Sequence, residues 1–324
     1  MMAVIVRLML IIIAMVGLLG SLVSCKYLEQ SDRRVERFEF SSRSQLEQLI
    51  NDINYKPEDW QAGNREVPRV YITDIPSDWR DNSSKELDVV TKKQVFFQFL
   101  GPLVLYSNEL IQINRDRVSS IVEALRAGAS VSEDDQAFLC KIAEEYKVSV
   151  GRTALTDHSL QDKLLRRVDT VPPSLVLAQA AEESGWGTSR FAIEGNALFG
   201  MWTWGGEGVK PLKQRSDLGN YKIATYETPL QSIIAYMHNL NTHQAYKKLR
   251  ERRAELRKAG AKVTGWDLAS TLTKYSERGL AYVDSLRCLI KVNMLQQADD
   301  AFLGDGPTIL LIPIGDRTNK MASS

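Results

Sequence analysis

The residues best suited to chemistry in this 324-residue chain stand where a helix should end. Val171-Pro172-Pro173 leads into SLVLAQAAEESGWG, a stretch with proline in its first turn, strong helix formers in its body and Gly185 in the closing position. Helical spacing puts Val176, Gln179, Ala180 and Glu183 on one face. A carboxylate therefore stands at the C-terminal end of a lane of small side chains, along which a narrow groove is expected. The negative end of the helix dipole and desolvation by Trp186 both disfavour an ionised Glu183, which is what a general acid requires. On spacing alone the alternative is a carboxylate that faces solvent, like its neighbour Glu182.

A second chemical stretch runs from Met201 to Tyr226. It holds Trp202, Trp204, three glycines between Gly205 and Gly208, and the β-branched segment Lys222-Ile223-Ala224-Thr225-Tyr226. This composition predicts a hairpin or flap. Exposed tryptophans stack on the apolar C–H faces of sugar rings; ordinary core packing is the competing use.

Thirteen residues after Glu183 comes Asn196-Ala197-Leu198-Phe199-Gly200. Together with A-Q-A-A-E-E-S-G-W-G it resembles the flagellar-type β-N-acetylglucosaminidases, glycoside hydrolase family 73. The closer resemblance is to Bax-type members of that family, through Val67-Pro68-Arg69-Val70-Tyr71, Leu198-Phe199-Gly200-Met201-Trp202 and Asn239-Leu240-Asn241-Thr242-His243-Gln244-Ala245-Tyr246. The matches run from residue 67 to about residue 295.

The resemblance implies Glu183 as general acid and peptidoglycan glycan strands as substrate, cut after N-acetylglucosamine without a metal or cofactor. Gln179, Ser184, Trp186 and Asn196 are then candidate glycan contacts, as are Phe199, Gly200, Trp202 and Tyr282. The fold it implies is mainly α: a lysozyme-like α+β catalytic domain with a small β-hairpin flap, preceded by a helical N-terminal domain. Family members often carry a second carboxylate in the flap, and here the candidates are Glu207 and Asp217, neither in a recognisable family pattern. An inverting glycosidase needs that carboxylate roughly 6.5 to 9.5 Å from the acid, whereas a substrate whose 2-acetamido group attacks its own anomeric carbon does not. The stretch Tyr275-Ser276-Glu277-Arg278-Gly279-Leu280-Ala281-Tyr282 is similar to the family's late Y-x-x-D-x-x-Y, with Glu277 and Arg278 replacing a small and an acidic residue. Tyr275 is the candidate site tyrosine. A lytic transglycosylase also places a Glu-Ser pair at a helix end, and a silent glycan-binding lipoprotein is the non-enzymatic alternative.

The elements that must position these residues follow from periodicity. Arg7 and the apolar run Leu8 to Val23 end at Leu22-Val23-Ser24-Cys25, which looks like a bacterial lipoprotein signal. Residues 1–24 are then the signal and Cys25 the lipidated residue. Residues 25–43 are a spacer, and Lys26 after the Cys resembles outer-membrane sorting toward the periplasmic face; an uncleaved membrane anchor is the alternative. Residues 44–155 read as a helical accessory domain. Its elements are a helix over Ser44 to Ile53 with a Ser44/Glu47 capping box, a short strand Val70-Tyr71-Ile72, a helix over Val89 to Glu123 kinked or broken at Pro102, and a helix opened by Ser132 with Asp135.

Residues 156–300 read as the catalytic domain. It adds helices at Thr228-Pro229-Leu230-Gln231, at Tyr246 to Gly260, at Trp266 to Tyr275 and at Ala281 to Gln297. Seven Lys/Arg between Lys247 and Lys258 read as a solvated face or as an attraction to anionic envelope polymer. Residues 301–324 form a tail in which Ile309 to Ile314 is strand-like and either pairs with an edge or stays loose.

Composition narrows the rest. Lys and Arg total 41 against 40 Asp and Glu, so nothing in the overall charge favours nucleic acid. The three histidines, His158, His238 and His243, have no metal-site spacing, and Ser184 has no GxSxG setting. With Cys25 used for lipid, Cys140 and Cys288 remain, one in each half, as the sole candidates for a disulfide.

Overall fold

The computed structural model describes residues 33–148, 153–212, 214 and 219–314. Cys25, the segment before it and Asp217 lie outside the described residues. In chain order the elements are β1 (Val35–Phe40), α1 (Arg43–Asp52), α2 (Pro57–Gln61), β2 (Glu66–Val67), β3 (Val70–Ile72), α3 (Val89–Arg126), α4 (Glu133–Glu145) and α5 (His158–Arg167). There follow α6 (Pro173–Ser184), α7 (Arg190–Gly195), β4 (Trp202–Thr203), β5 (Gly208–Val209), β6 (Lys222–Ala224), α8 (Pro229–Thr242), α9 (Lys247–Lys258), α10 (Gly265–Ala269), α11 (Leu280–Val292), β7 (Phe302–Leu303) and β8 (Thr308–Pro313). The chain is mainly helical. Among the described residues no helix is long and apolar enough to cross a membrane.

Among the described residues, contacts separate two compact units, one of residues 33–103, 180–233 and 302–314, the other of residues 104–179 and 234–301. This division does not follow the linear boundary expected near residue 156. The reason is that α3, α6 and α8 each continue across it, and periodicity reveals that a helix has a buried face without revealing what covers that face.

The first unit contains a parallel sheet of order β1-β8-β3, with Val35 opposite Thr308 and Val70 opposite Ile309. The C-terminal strand is thus central rather than an edge or a loose tail. Its run Ile309-Leu310-Leu311-Ile312 is the near-continuous apolar pattern of a strand covered on both faces, and Leu311 is fully buried. The expected spacer is also corrected, because Val35–Phe40 forms a strand at the edge of this sheet, with exposed Arg37 and Glu39 between the more buried Phe38 and Phe40. Arg69, buried beside β3, donates from Nε to the Gly304 carbonyl at 2.8 Å, which ties the VPRVY stretch to the C-terminal segment. In α1 the expected Ser44/Glu47 box does not form. The helix begins after Ser42, and Glu47 pairs with Arg43 at 2.6 Å. Pro102 lies within a continuous α3.

The second unit packs Val118, Ile121 and Val122 of α3 against Leu139, Ile142 and Ala143 of α4 and Leu164 of α5. Ser132 caps α4 as its sequence predicts, accepting from the Asp135 N–H at 3.1 Å and donating to the Asp135 carboxylate at 2.9 Å. Helix α9 keeps Lys247, Lys248, Arg252, Arg257 and Lys258 exposed, as a solvated face requires, but turns two of its arginines inward. Arg250 and Arg253 are buried, and Asp169, only 2% exposed, lies within 3.4 Å of Arg115, 3.2 Å of Arg253 and 2.6 Å of Arg257. Burial pushes the Arg253 guanidinium down to about 10, still protonated at neutral pH. Asn241 completes the cluster, accepting from Arg253 at 2.8 Å and donating to the Asp169 carbonyl at 2.8 Å.

Asp299 holds the start of α6 by accepting from the Ser174 N–H and hydroxyl at 2.9 and 2.8 Å, and it accepts from the Gly265 N–H at 3.1 Å. Helix α10 ends at Ala269, short of the expected Tyr275, and α11 gives way to a 3₁₀ turn over Leu295–Asp300. Cys140 and Cys288 both belong to the second unit and are not bonded to each other, contrary to a bridge between halves.

Candidate active site

The end of α6 explains the sequence Ser-Gly-Trp-Gly residue by residue. Ser184 is fully buried; its hydroxyl donates to the Ala180 carbonyl at 2.6 Å and accepts from the Gly187 N–H at 2.8 Å. Gly185, Trp186 and Gly187 then take three successive left-handed conformations, with φ of 57°, 62° and 75°. Trp186 N–H closes the helix by donating to the Ala181 carbonyl at 3.1 Å, and Ser189 N–H donates to the Ser184 carbonyl at 2.9 Å.

A tryptophan at positive φ costs about 1–2 kcal/mol, and its surroundings offset that cost. Phe96 and Phe97 meet the ring edge-on at 5.7 and 5.4 Å, Lys93 lies 5.0 Å from its centroid, and Trp79 Nε1 donates to the Trp186 carbonyl at 2.9 Å. Gly187 leaves little room for a side chain, since a Cβ there would stand 3.3 Å from Trp79 Nε1 and 3.4 Å from the Phe96 ring, and its φ of 75° favours glycine. Glu183, half-buried one residue before the end of α6, is carried on this backbone.

The lane that leads to it is not a groove. Val176, Gln179 and Ala180 are fully buried, so that face of α6 packs in the interior and only its end reaches solvent.

Asn196 closes α7 in the left-handed region at φ 52°. Its side chain is fully engaged: Oδ1 accepts from the Ile75 N–H at 3.0 Å, and Nδ2 donates to the Tyr226 and Glu227 carbonyls at 3.2 and 3.1 Å. Leu198 and Phe199 are core residues, and Gly200 turns at φ 58°. Ser184, Asn196 and Phe199, read from sequence as glycan contacts, are all buried; Ser184 fixes the backbone of the turn after Glu183, and Asn196 joins the backbone at Ile75 to that at Tyr226 and Glu227.

Beyond them β4, β6 and β5 form an antiparallel sheet with β6 in the middle, in place of a two-stranded hairpin. Its exposed aromatic surface is Trp202, 44% exposed, and Trp204, 65% exposed. Trp202 lies 4.7 Å from Tyr221 at a tilt of 32° and meets Trp204 edge-on at 6.0 Å. Glu207 is exposed in the turn between β4 and β5.

In the second unit Gln179 is fully buried and Tyr282 nearly so. The Gln179 amide donates to the Tyr282 hydroxyl at 2.9 Å and accepts from the Tyr236 hydroxyl. Tyr275 stacks parallel to Tyr282 at 5.4 Å and also faces Tyr246 and Tyr236. Sequence reasoning missed Tyr236, whose signal is its place beside Ile233, Met237 and Leu240 on the buried stripe of α8. Among the described residues no group of three His, Cys, Asp or Glu side chains could hold a metal ion.

Comparison with known proteins covers the same region. The glucosaminidase family, described as mannosyl-glycoprotein endo-beta-N-acetylglucosaminidase, matches residues 161–293, a span that holds Glu183, Asn196 and Tyr275. Protein bax of Escherichia coli strain K12 is 34% identical over 205 residues, covering 62% of this chain and 70% of that protein. No solved structure matches. A helix that ends in a locked Glu-Ser-Gly-Trp-Gly turn, followed by an asparagine-stitched loop, thus falls inside the matched span, and the chain belongs to the glucosaminidase family.

Proposed function

We propose that this chain is a peptidoglycan hydrolase of glycoside hydrolase family 73, an endo-β-N-acetylglucosaminidase that cleaves the β-1,4 bond after N-acetylglucosamine. The observation that carries the reading is the turn after α6. It spends three left-handed residues and a buried serine on fixing the backbone of one half-buried carboxylate, Glu183. The strain lies in Trp186, the non-glycine of the three; such strain persists where the surroundings over-determine it, and such places cluster at active sites.

In the reaction Glu183 gives its proton to the glycosidic oxygen as the C–O bond breaks. The 2-acetamido oxygen of the cleaved sugar supplies the electron pair to the anomeric carbon. Tyr275 hydrogen-bonds the cyclic intermediate, and water opens it while returning a proton to Glu183. An inverting course would instead use Glu207 or Asp217 to activate water, and the anomer first released separates the two. Trp202 and Trp204, with the sheet that carries them, serve as a flap with aromatic faces for sugar rings; Gly200 and Trp186 flank the strand. Cys25 is the lipidated first residue of the mature protein and holds the enzyme at the periplasmic face of the outer membrane.

Digestion of purified peptidoglycan with the full chain, followed by mass spectrometry of the new ends, tests the reading. N-acetylglucosamine reducing ends are expected. Anhydro-muramic ends would instead make it a lytic transglycosylase, and no release would make it a glycan-binding lipoprotein.

A further inference from the structure

Three tyrosine rings surround Tyr275 in the second unit, and two of them are held by one side chain. Tyr282 lies parallel to Tyr275 at 5.4 Å and 7°, Tyr236 meets it edge-on at 6.4 Å and 72°, and Tyr246 is tilted at 5.9 Å. Gln179 accepts from the Tyr236 hydroxyl through Oε1 and donates through Nε2 to the Tyr282 hydroxyl at 2.9 Å. A carboxamide suits this task because it carries an acceptor and a donor on adjacent atoms. Tyr236 comes from α8, Tyr282 from α11 and Gln179 from α6, so a single fully buried amide sets three helices around one ring.

Tyr275 itself belongs to no helix; it lies in a turn between α10 and α11. A half-buried ring on an irregular segment takes its orientation from the rings packed on it. Gln179 stands one helical turn before Glu183 on α6.

We infer that Gln179 is a positioning residue for Tyr275, acting through Tyr282 and Tyr236 without touching substrate. The inference rests on the role proposed above for Tyr275. Hydrolysis of soluble peptidoglycan fragments by the full chain tests it with Gln179→Met and Tyr282→Phe, each alone and combined with Tyr275→Phe. Gln179→Met is expected to lower kcat by about tenfold or more and Tyr282→Phe by several-fold, with KM changed by less than about twofold. In the Tyr275→Phe background neither should lower kcat further, because a residue that acts through another loses its effect when the other is gone.

If either variant keeps its full fold-loss on that background, or if kcat is unchanged in the folded single variants, the inference is overturned. Tyr282→Phe keeps the stacked ring and removes only the hydroxyl, so it carries the test if Gln179→Met does not fold. Unchanged kcat in Tyr275→Phe alone identifies the other failure: the assignment of Tyr275 is then wrong, and the inference falls with it.

Discussion

The turn after Glu183 in the first unit and the charge cluster around Asp169 in the second are both tightly determined, by opposite means. The turn uses neutral hydrogen bonds, aromatic edges and backbone strain, and it leaves a carboxylate half-exposed. The cluster uses a buried carboxylate and three arginines, and Asp169 at its centre is all but closed to solvent. The difference separates positioning from stability. Strain that nothing in the fold requires points to function, whereas a satisfied buried charge network points to the fold itself.

Breaking the cluster should have the largest effect on stability. Asp169→Asn leaves Arg115, Arg253 and Arg257 without their counter-charge and should cost about 3–5 kcal/mol, read by denaturant unfolding. At a temperature where the variant remains folded, glycan cleavage should stay close to wild type. Gly187→Ala should show the opposite balance. A φ of 75° and the close approach of Trp79 and Phe96 predict a cost of about 1–2 kcal/mol, with a larger proportional fall in kcat than Asp169→Asn.

Ser184→Ala sharpens the comparison further. It strands the Gly187 N–H and should cost about 1–2 kcal/mol, and kcat should fall while KM holds. A rise in KM at constant kcat would mean that Ser184 touches glycan after all.

The smallest effect concerns pH. Burial lowers the pKa of His238, partly opposed by its 3.0 Å hydrogen bond with the Glu145 carbonyl oxygen. The unfolded chain then binds this proton more readily than the folded one does. The His238 contribution is complete above a pH of about 6.5 and declines as pH falls toward the folded value. A His238→Gln variant should show a shallower loss of stability below that pH.

What the sequence revealed followed the range of the interactions. The α6 end was legible because Pro173, Gly185 and Gly187 each obey a local backbone rule within one short stretch. Ser132 and Asp135 were legible for the same reason. The central place of β8 was not, because its partners β1 and β3 lie at the far end of the chain and parallel pairing leaves no turn signal between them. The basic stretch in α9 is largely solvated as read, but its buried Arg253 was not legible because the counter-charge, Asp169, is remote in sequence. Asn196 and Ser184 were recognised as important residue types, but their burial and their bonds to backbone are properties of packing that residue type does not show. The Gln179 amide was legible as a polar residue on the Glu183 face; its two tyrosine partners were not.

The central claim is that Glu183 is the acid and that its surroundings exist to hold it. The most direct test compares Glu183→Gln with wild type, measuring release of peptidoglycan fragments alongside thermal unfolding. The account predicts a loss of release of about 100-fold or more with an unfolding temperature close to wild type. Full release by a normally folded Glu183→Gln variant would contradict it.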